Sequence, residues 1–183
     1  MIFKCLRAIV VLLLLAATTS YAQTYRILTT EDFQGTPRKM NFAAVAYTNC
    51  SISYDYTVKR ERGIFRLDFN VSMVMNKHLS WLDKSRIKSP EMLAEVLKHE
   101  QGHYAIAYLQ QQEVLRTFGR TRFGRDYNIV ARQIFDRIDA KYQKLNKAYE
   151  RETDHMQNRV QQASWDKYLA KYLENMPPLM VGN

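Results

Sequence analysis

Cysteine is almost missing from this chain of 183 residues, which has two. A scaffold held by internal disulfides is thereby excluded, and the fold must rest on its core or on a metal. Six glycines and four prolines are too few for a collagen-like or low-complexity chain, and 46% hydrophobic residues suit an ordinary globular domain. Long apolar runs are also lacking. The longest, Ala8 to Ala17, falls short of the roughly 20 residues that span a bilayer. Lys4 and Arg7 precede it and Ser20-Tyr21-Ala22 follows, which is the layout of a cleaved export signal. Residues 1–22 therefore read as a signal peptide and residues 23–183 as one exported domain, periplasmic or secreted.

Cys5 lies before the apolar run, so it does not fit the acylated cysteine of a lipoprotein. Cys50 is then the sole cysteine of the mature chain and can bridge only to another molecule. Acidic residues are outnumbered, 18 against 27 Lys and Arg, and loss of Lys4 and Arg7 lowers the formal charge from +9 to +7. This excess favours weak contact with anionic envelope components, and also suits solvated helix faces. Nucleic acid is a poor partner for an exported chain. Nothing in the composition sets the oligomeric state.

Two kinds of periodicity divide the mature chain. Ile52, Tyr54, Tyr56 and Val58 alternate with polar residues, as do Phe65, Leu67, Phe69, Val71, Met73 and Met75. They predict two half-buried strands, Ser51 to Val58 and Phe65 to Met75, joined into an antiparallel hairpin through Lys59 to Gly63. An earlier strand is expected around Phe42 to Thr48, and Asn76 to Lys88 reads as a polar connection tethered by Trp81 and Leu82. Ser89-Pro90-Glu91 starts a helix, because serine caps free N–H groups, proline suits the first helical position and glutamate suits the dipole. That helix should end near Phe118, with Gly119 closing it. From Asp126 to about Asn175 there is neither Gly nor Pro, and apolar residues recur every three or four positions, predicting one long helix or two with a break. The expected class is α+β, a small antiparallel sheet packed on long helices.

The chemistry lies in His99-Glu100-Gln101-Gly102-His103. Histidines at i and i+4 share one helical face, so both imidazoles can converge on one Zn²⁺, while Glu100 points about a quarter turn away and can serve the water that the metal activates. The bland alternative is a solvated helix face. Gln101 and Gly102 argue against it, since glycine costs about 1 kcal/mol in an exposed helix but is useful where another group approaches closely. A catalytic zinc needs a third protein ligand, and the candidates lie in Tyr149 to His155. Helical counting places Glu152 on the apolar stripe of Tyr149 and Met156 and His155 about 100° round from it. Tyr149 is either a buried core residue or an oxyanion donor.

The sequence resembles the bacterial family called domain of unknown function 922, described as predicted secreted zinc-dependent proteases. The residues that carry the resemblance are Glu31-Asp32-Phe33-Gln34-Gly35, Cys50-Ser51-Ile52-Ser53-Tyr54, Ser80-Trp81, the His99 to His103 motif, and Tyr149-x-x-x-Thr153-x-His155 followed by Gln161 or Gln162 and Trp165. In that family the later element reads Tyr-Asp-x-x-Thr-x-His-Gly. The resemblance thus implies that His155 is the third metal ligand beside His99 and His103, and that Glu152 stands at a variable position. Glu150 and Met156 are departures, standing where the family has Asp and Gly. It further implies a zincin-like metalloprotease fold and a zinc-dependent metallopeptidase with Glu100 as general base, acting on a peptide or protein substrate. Competing readings are a zinc-binding envelope protein without catalysis and a basic structural protein of the envelope.

Overall fold

The structure is a computed structural model that describes residues 24–37, 44–61 and 64–176. The proposed signal, residues 1–22, lies outside them, as do Phe42 and Ala43 of the expected first strand and Gly63 in the hairpin turn. The architecture is α+β: two small antiparallel sheets and three helices. Among the described residues no helix is long and apolar enough to cross a membrane.

Strands β1 (Ala46–Tyr47), β2 (Cys50–Glu61), β3 (Ile64–Met75) and β4 (Trp81–Leu82) pair as β1 with β4 and β2 with β3. The β2–β3 register runs unbroken from Cys50 opposite Met75 to Glu61 opposite Ile64. The hairpin is therefore longer than the apolar alternation suggests, with Lys59 to Glu61 in the strand and not in the turn. Its polar end carries no apolar pattern because it projects past the core, where Ile64 is exposed. Residues of alternate parity, including Val71 and Met73, are buried. The expected early strand is only two residues long. Trp81 and Leu82, expected as tethers, form its partner.

Helix α1 (Pro90–Arg120) begins where the sequence places it, with the Ser89 hydroxyl accepting from the Met92 N–H and Pro90 in the first turn. It continues through Gly119 and ends at Thr121, whose backbone N–H bonds to Phe118 and whose hydroxyl bonds back to Thr117. Helices α2 (Tyr127–Thr153) and α3 (Arg159–Glu174) resolve the expected long segment into two. The central α1 touches the hairpin, β1 and both later helices. Its one side buries Ala105, Ile106, Leu109, Val114 and Phe118 with Ile134, Ile138, Tyr142 and Tyr149 of α2 and Leu169 of α3. Its other side buries Val96 and Tyr104 with Leu28, Phe33, Ala46, Met73 and Met75. Residues 96–105 are thus held from both sides, and the motif sits within them.

One buried ion cluster fastens the N-terminal segment. Arg26 donates to both carboxylate oxygens of Asp32 at 2.7 and 2.9 Å, the Thr29 N–H donates at 2.9 Å and Lys77 lies at 2.9 Å. Burial of Asp32 acts to raise its pKa, but these donors outweigh it and hold the carboxyl well below the usual carboxylate range. The stabilisation is fully present above the unfolded-state pKa of about 3.9 and fades as pH falls towards the depressed folded value. Because Arg26 and Lys77 are partly solvated, Asp32→Asn should destabilise the protein by about 1–2 kcal/mol at pH 7. In urea melts at pH 7 and pH 3, the gap between wild type and variant should narrow at the lower pH. An undiminished gap would show that the charge contributes nothing.

Candidate metal centre

The site is built on a feature of α1 that sequence spacing alone dictates: His99 and His103 stand one turn apart, and their Nε2 atoms approach to 3.2 Å. The third member is Glu150, from the last full turn of α2. Its Oε2 lies 3.1 Å from His99 Nε2 and 2.9 Å from His103 Nε2. Among the described residues, His99, His103 and Glu150 form the group whose ligand atoms fall within 4.8 Å of one another.

The opposite ring nitrogens settle what the inner ones can do. His99 Nδ1 donates to Gln162 Oε1 at 3.0 Å and His103 Nδ1 donates to Asn146 Oδ1 at 2.7 Å. An amide oxygen only accepts, so each Nδ1 carries its proton, and whenever the ring is neutral its Nε2 turns a bare lone pair inward. With both rings neutral, two lone pairs and a carboxylate oxygen share one spot, which is favourable only if a metal ion or a proton sits among them. Orienting partners on the outer nitrogens are the usual second layer of a metal site, so the donor set fits zinc. Without a metal a proton must serve. Burial lowers the pKa of His103, yet bonding to Glu150 and the nearby Glu100 charge raise it above its ordinary value overall. Burial likewise acts to raise the pKa of Glu150, and His103 and His99 together pull it well below the carboxylate range.

Tyr149 and Gly102 set the distance between α1 and α2. The Tyr149 hydroxyl is fully buried, donates to the His99 carbonyl at 2.9 Å and accepts from Gln162 Nε2 at 2.9 Å. Its ring lies stacked on His99 and edge-on to His103, with centroids 5.0 and 4.9 Å away. A Cβ on Gly102 would fall 2.2 Å from that hydroxyl oxygen, so the group whose close approach the glycine allows is this ring. Tyr149 is a pillar of the site and does not face it as an oxyanion donor. Gln162 also donates to Asp166, which is paired with Lys98 of α1.

The turn after α2 decides where His155 goes. Asp154, His155 and Met156 all have positive φ, 47°, 50° and 75°, a run that residues bearing a Cβ adopt at a cost of about 1–2 kcal/mol each. Helical counting fails here because the helix has already ended. The left-handed turn folds His155 back over the last turn, so its Nδ1 lies against Oε1 of Glu150. His155 thus joins the cluster, but the atom beside both Nε2 atoms belongs to Glu150. Glu152 points elsewhere, accepting from the Trp165 indole at 3.0 Å and meeting Arg151. Met156 packs into the second core with φ in the region where the family pattern has glycine.

Glu100 is 3% exposed, and its Oε2 has no hydrogen-bond partner. It shares one small recess with His99, Glu150, His155, Val45, Val96 and Met156. An unpartnered buried carboxylate oxygen is costly for stability.

Over residues 19–156 the sequence matches the family described as bacterial protein of unknown function (DUF922). The chain belongs to this family. The matched span contains His99, His103 and Glu150, together with His155, Glu100, Asn146 and Tyr149, whereas Gln162 lies beyond it on α3. This description carries no activity, so the protease activity implied by the resemblance does not come from the match, and no curated protein and no solved structure matches the chain.

Glu150, Asn146 and the specific role of Gln162 were not apparent from spacing. The one available signal for Glu150 was the family's Tyr-Asp pair, which puts a carboxylate directly after the tyrosine. Gly102→Ala should push the Tyr149 ring off His99 and destabilise the protein by about 1–3 kcal/mol, as overpacking does. Equilibrium unfolding measures this, and a neutral result would mean that the two helices have room to spare.

Proposed function

We propose that this protein is an exported zinc-dependent metallopeptidase with a zincin-like active site. His99, His103 and Glu150 would hold the metal, and His155 would steady Glu150 from its second oxygen. What carries the reading is the placing of the unpartnered Glu100 carboxylate in the same recess as His99 and Glu150, two of the three grouped donor residues. Zinc bound there would polarise a substrate carbonyl and lower the pKa of a water molecule to near neutrality. Glu100 would take the proton of an attacking water and hand it to the amine nitrogen as the C–N bond breaks. Val45, Val96 and Met156 keep one wall of the recess apolar, which strengthens the electrostatics inside it.

Gln162 and Asn146 fix the two imidazoles, so the ligand atoms are positioned before metal or substrate arrives. Export rests on the layout of residues 1–22 and is part of the proposal.

Glu100→Gln is the discriminating variant, because it keeps the side-chain volume and leaves all three donor atoms in place. It should retain zinc at the wild-type level while hydrolysis of a peptide library falls by about 100-fold or more, the range for loss of a general base. Zinc retention with no hydrolysis by the wild type would favour a zinc-binding envelope protein. Equal hydrolysis by wild type and Glu100→Gln would contradict the assigned role.

A further inference from the structure

A second concave feature, lined by residues of α1, α2 and α3, shares no lining residue with the recess at Glu100. It is an open groove of about 660 Å³, within the roughly 300–1,000 Å³ of small-molecule sites. Leu109 of α1 and Leu145 and Ala148 of α2 give it an apolar floor, and Tyr168 and Tyr172 of α3 form a wall. These two tyrosines are 39% and 52% exposed, with ring centroids 4.7 Å apart. Aromatic rings with polar tips left standing beside an apolar floor suit a ligand with an apolar body.

The charge along the groove has one sign. Arg137, Lys141 and Lys144 follow one another at i, i+4 and i+7 on α2, and no acidic residue lines the groove. Like charges at that spacing repel. Lys141 is neutralised by Glu113 and lies over the Tyr142 ring, whereas Arg137 and Lys144 are exposed and make no ion pair among the described residues. A bound anion would relieve that repulsion. An apolar floor, an aromatic wall and a cationic rim together define an amphiphile with a negative head.

We propose that this groove binds a small carboxylate carried on an apolar chain, independently of the metal centre. Trp165 provides a reporter, since its ring lies 5.4 Å from that of Tyr168. The test titrates the full mature chain with laurate below its micellar concentration, followed by calorimetry and tryptophan fluorescence, with 1-dodecanol as the uncharged comparator. One saturable site per chain is expected, weakening with added salt and at least about fivefold weaker in the double variant Arg137→Glu/Lys144→Glu. Both positions are exposed, so the variant should fold, which circular dichroism checks. Ala148→Phe fills the floor and should abolish binding; if it does not fold, the charge variant decides alone. Absence of saturable binding, equal affinity for 1-dodecanol, or unchanged affinity in the double variant would overturn the proposal.

Discussion

Two imidazole nitrogens and a carboxylate oxygen, which oppose lone pairs when the rings are neutral, crowd onto one spot inside the protein, and most of the surrounding structure follows from the need to keep them there. Left to themselves, His99, His103 and Glu150 would separate or rotate away. They are kept in place by amide oxygens that occupy the outer nitrogens, by the Tyr149 ring against His99, and by the burial of α1 on both faces. A cation converts that mutual repulsion into attraction. The same low-dielectric surroundings that make the bare cluster unfavourable would make a bound Zn²⁺ correspondingly well held.

Helix packing and site geometry are therefore one problem. Gly102 lets α2 come close enough for the Tyr149 hydroxyl to reach the His99 carbonyl, and Tyr149 brings Glu150, its neighbour in sequence, to the histidines. The three left-handed residues that follow store strain, which structures commonly tolerate where a function needs it. Here the strain turns His155 onto Glu150 and directs Met156 into the second core. Helix α3 then closes the site from behind, tied to α1 through the Gln162–Asp166–Lys98 chain.

Local rules made part of this legible in the sequence. The hairpin strands show a period of two, the start of α1 shows its cap, and the histidine pair needs nothing beyond 3.6 residues per turn. What local rules could not show was the end of α2. No glycine or proline marks the break at residues 154–158, so helical periodicity runs on past the end of α2 and bears on Glu152 and His155 without pointing to Glu150. Contacts between residues far apart were equally hidden: Asn146 and Gln162 meet their histidines across 43 and 63 positions. Met156, which stands where the resemblance implies a glycine, has a φ of 75°.

The most direct test of the metal centre is the zinc content of the mature chain after dialysis against a weak chelator, compared with Glu150→Ala and His155→Ala. About one zinc per chain is expected in the wild type. Near-complete loss is expected in Glu150→Ala and a smaller loss in His155→Ala, within the roughly 10–100-fold of an orienting residue. No zinc in folded wild-type protein would contradict the central claim, and a greater loss in His155→Ala than in Glu150→Ala would give the third ligand position to His155.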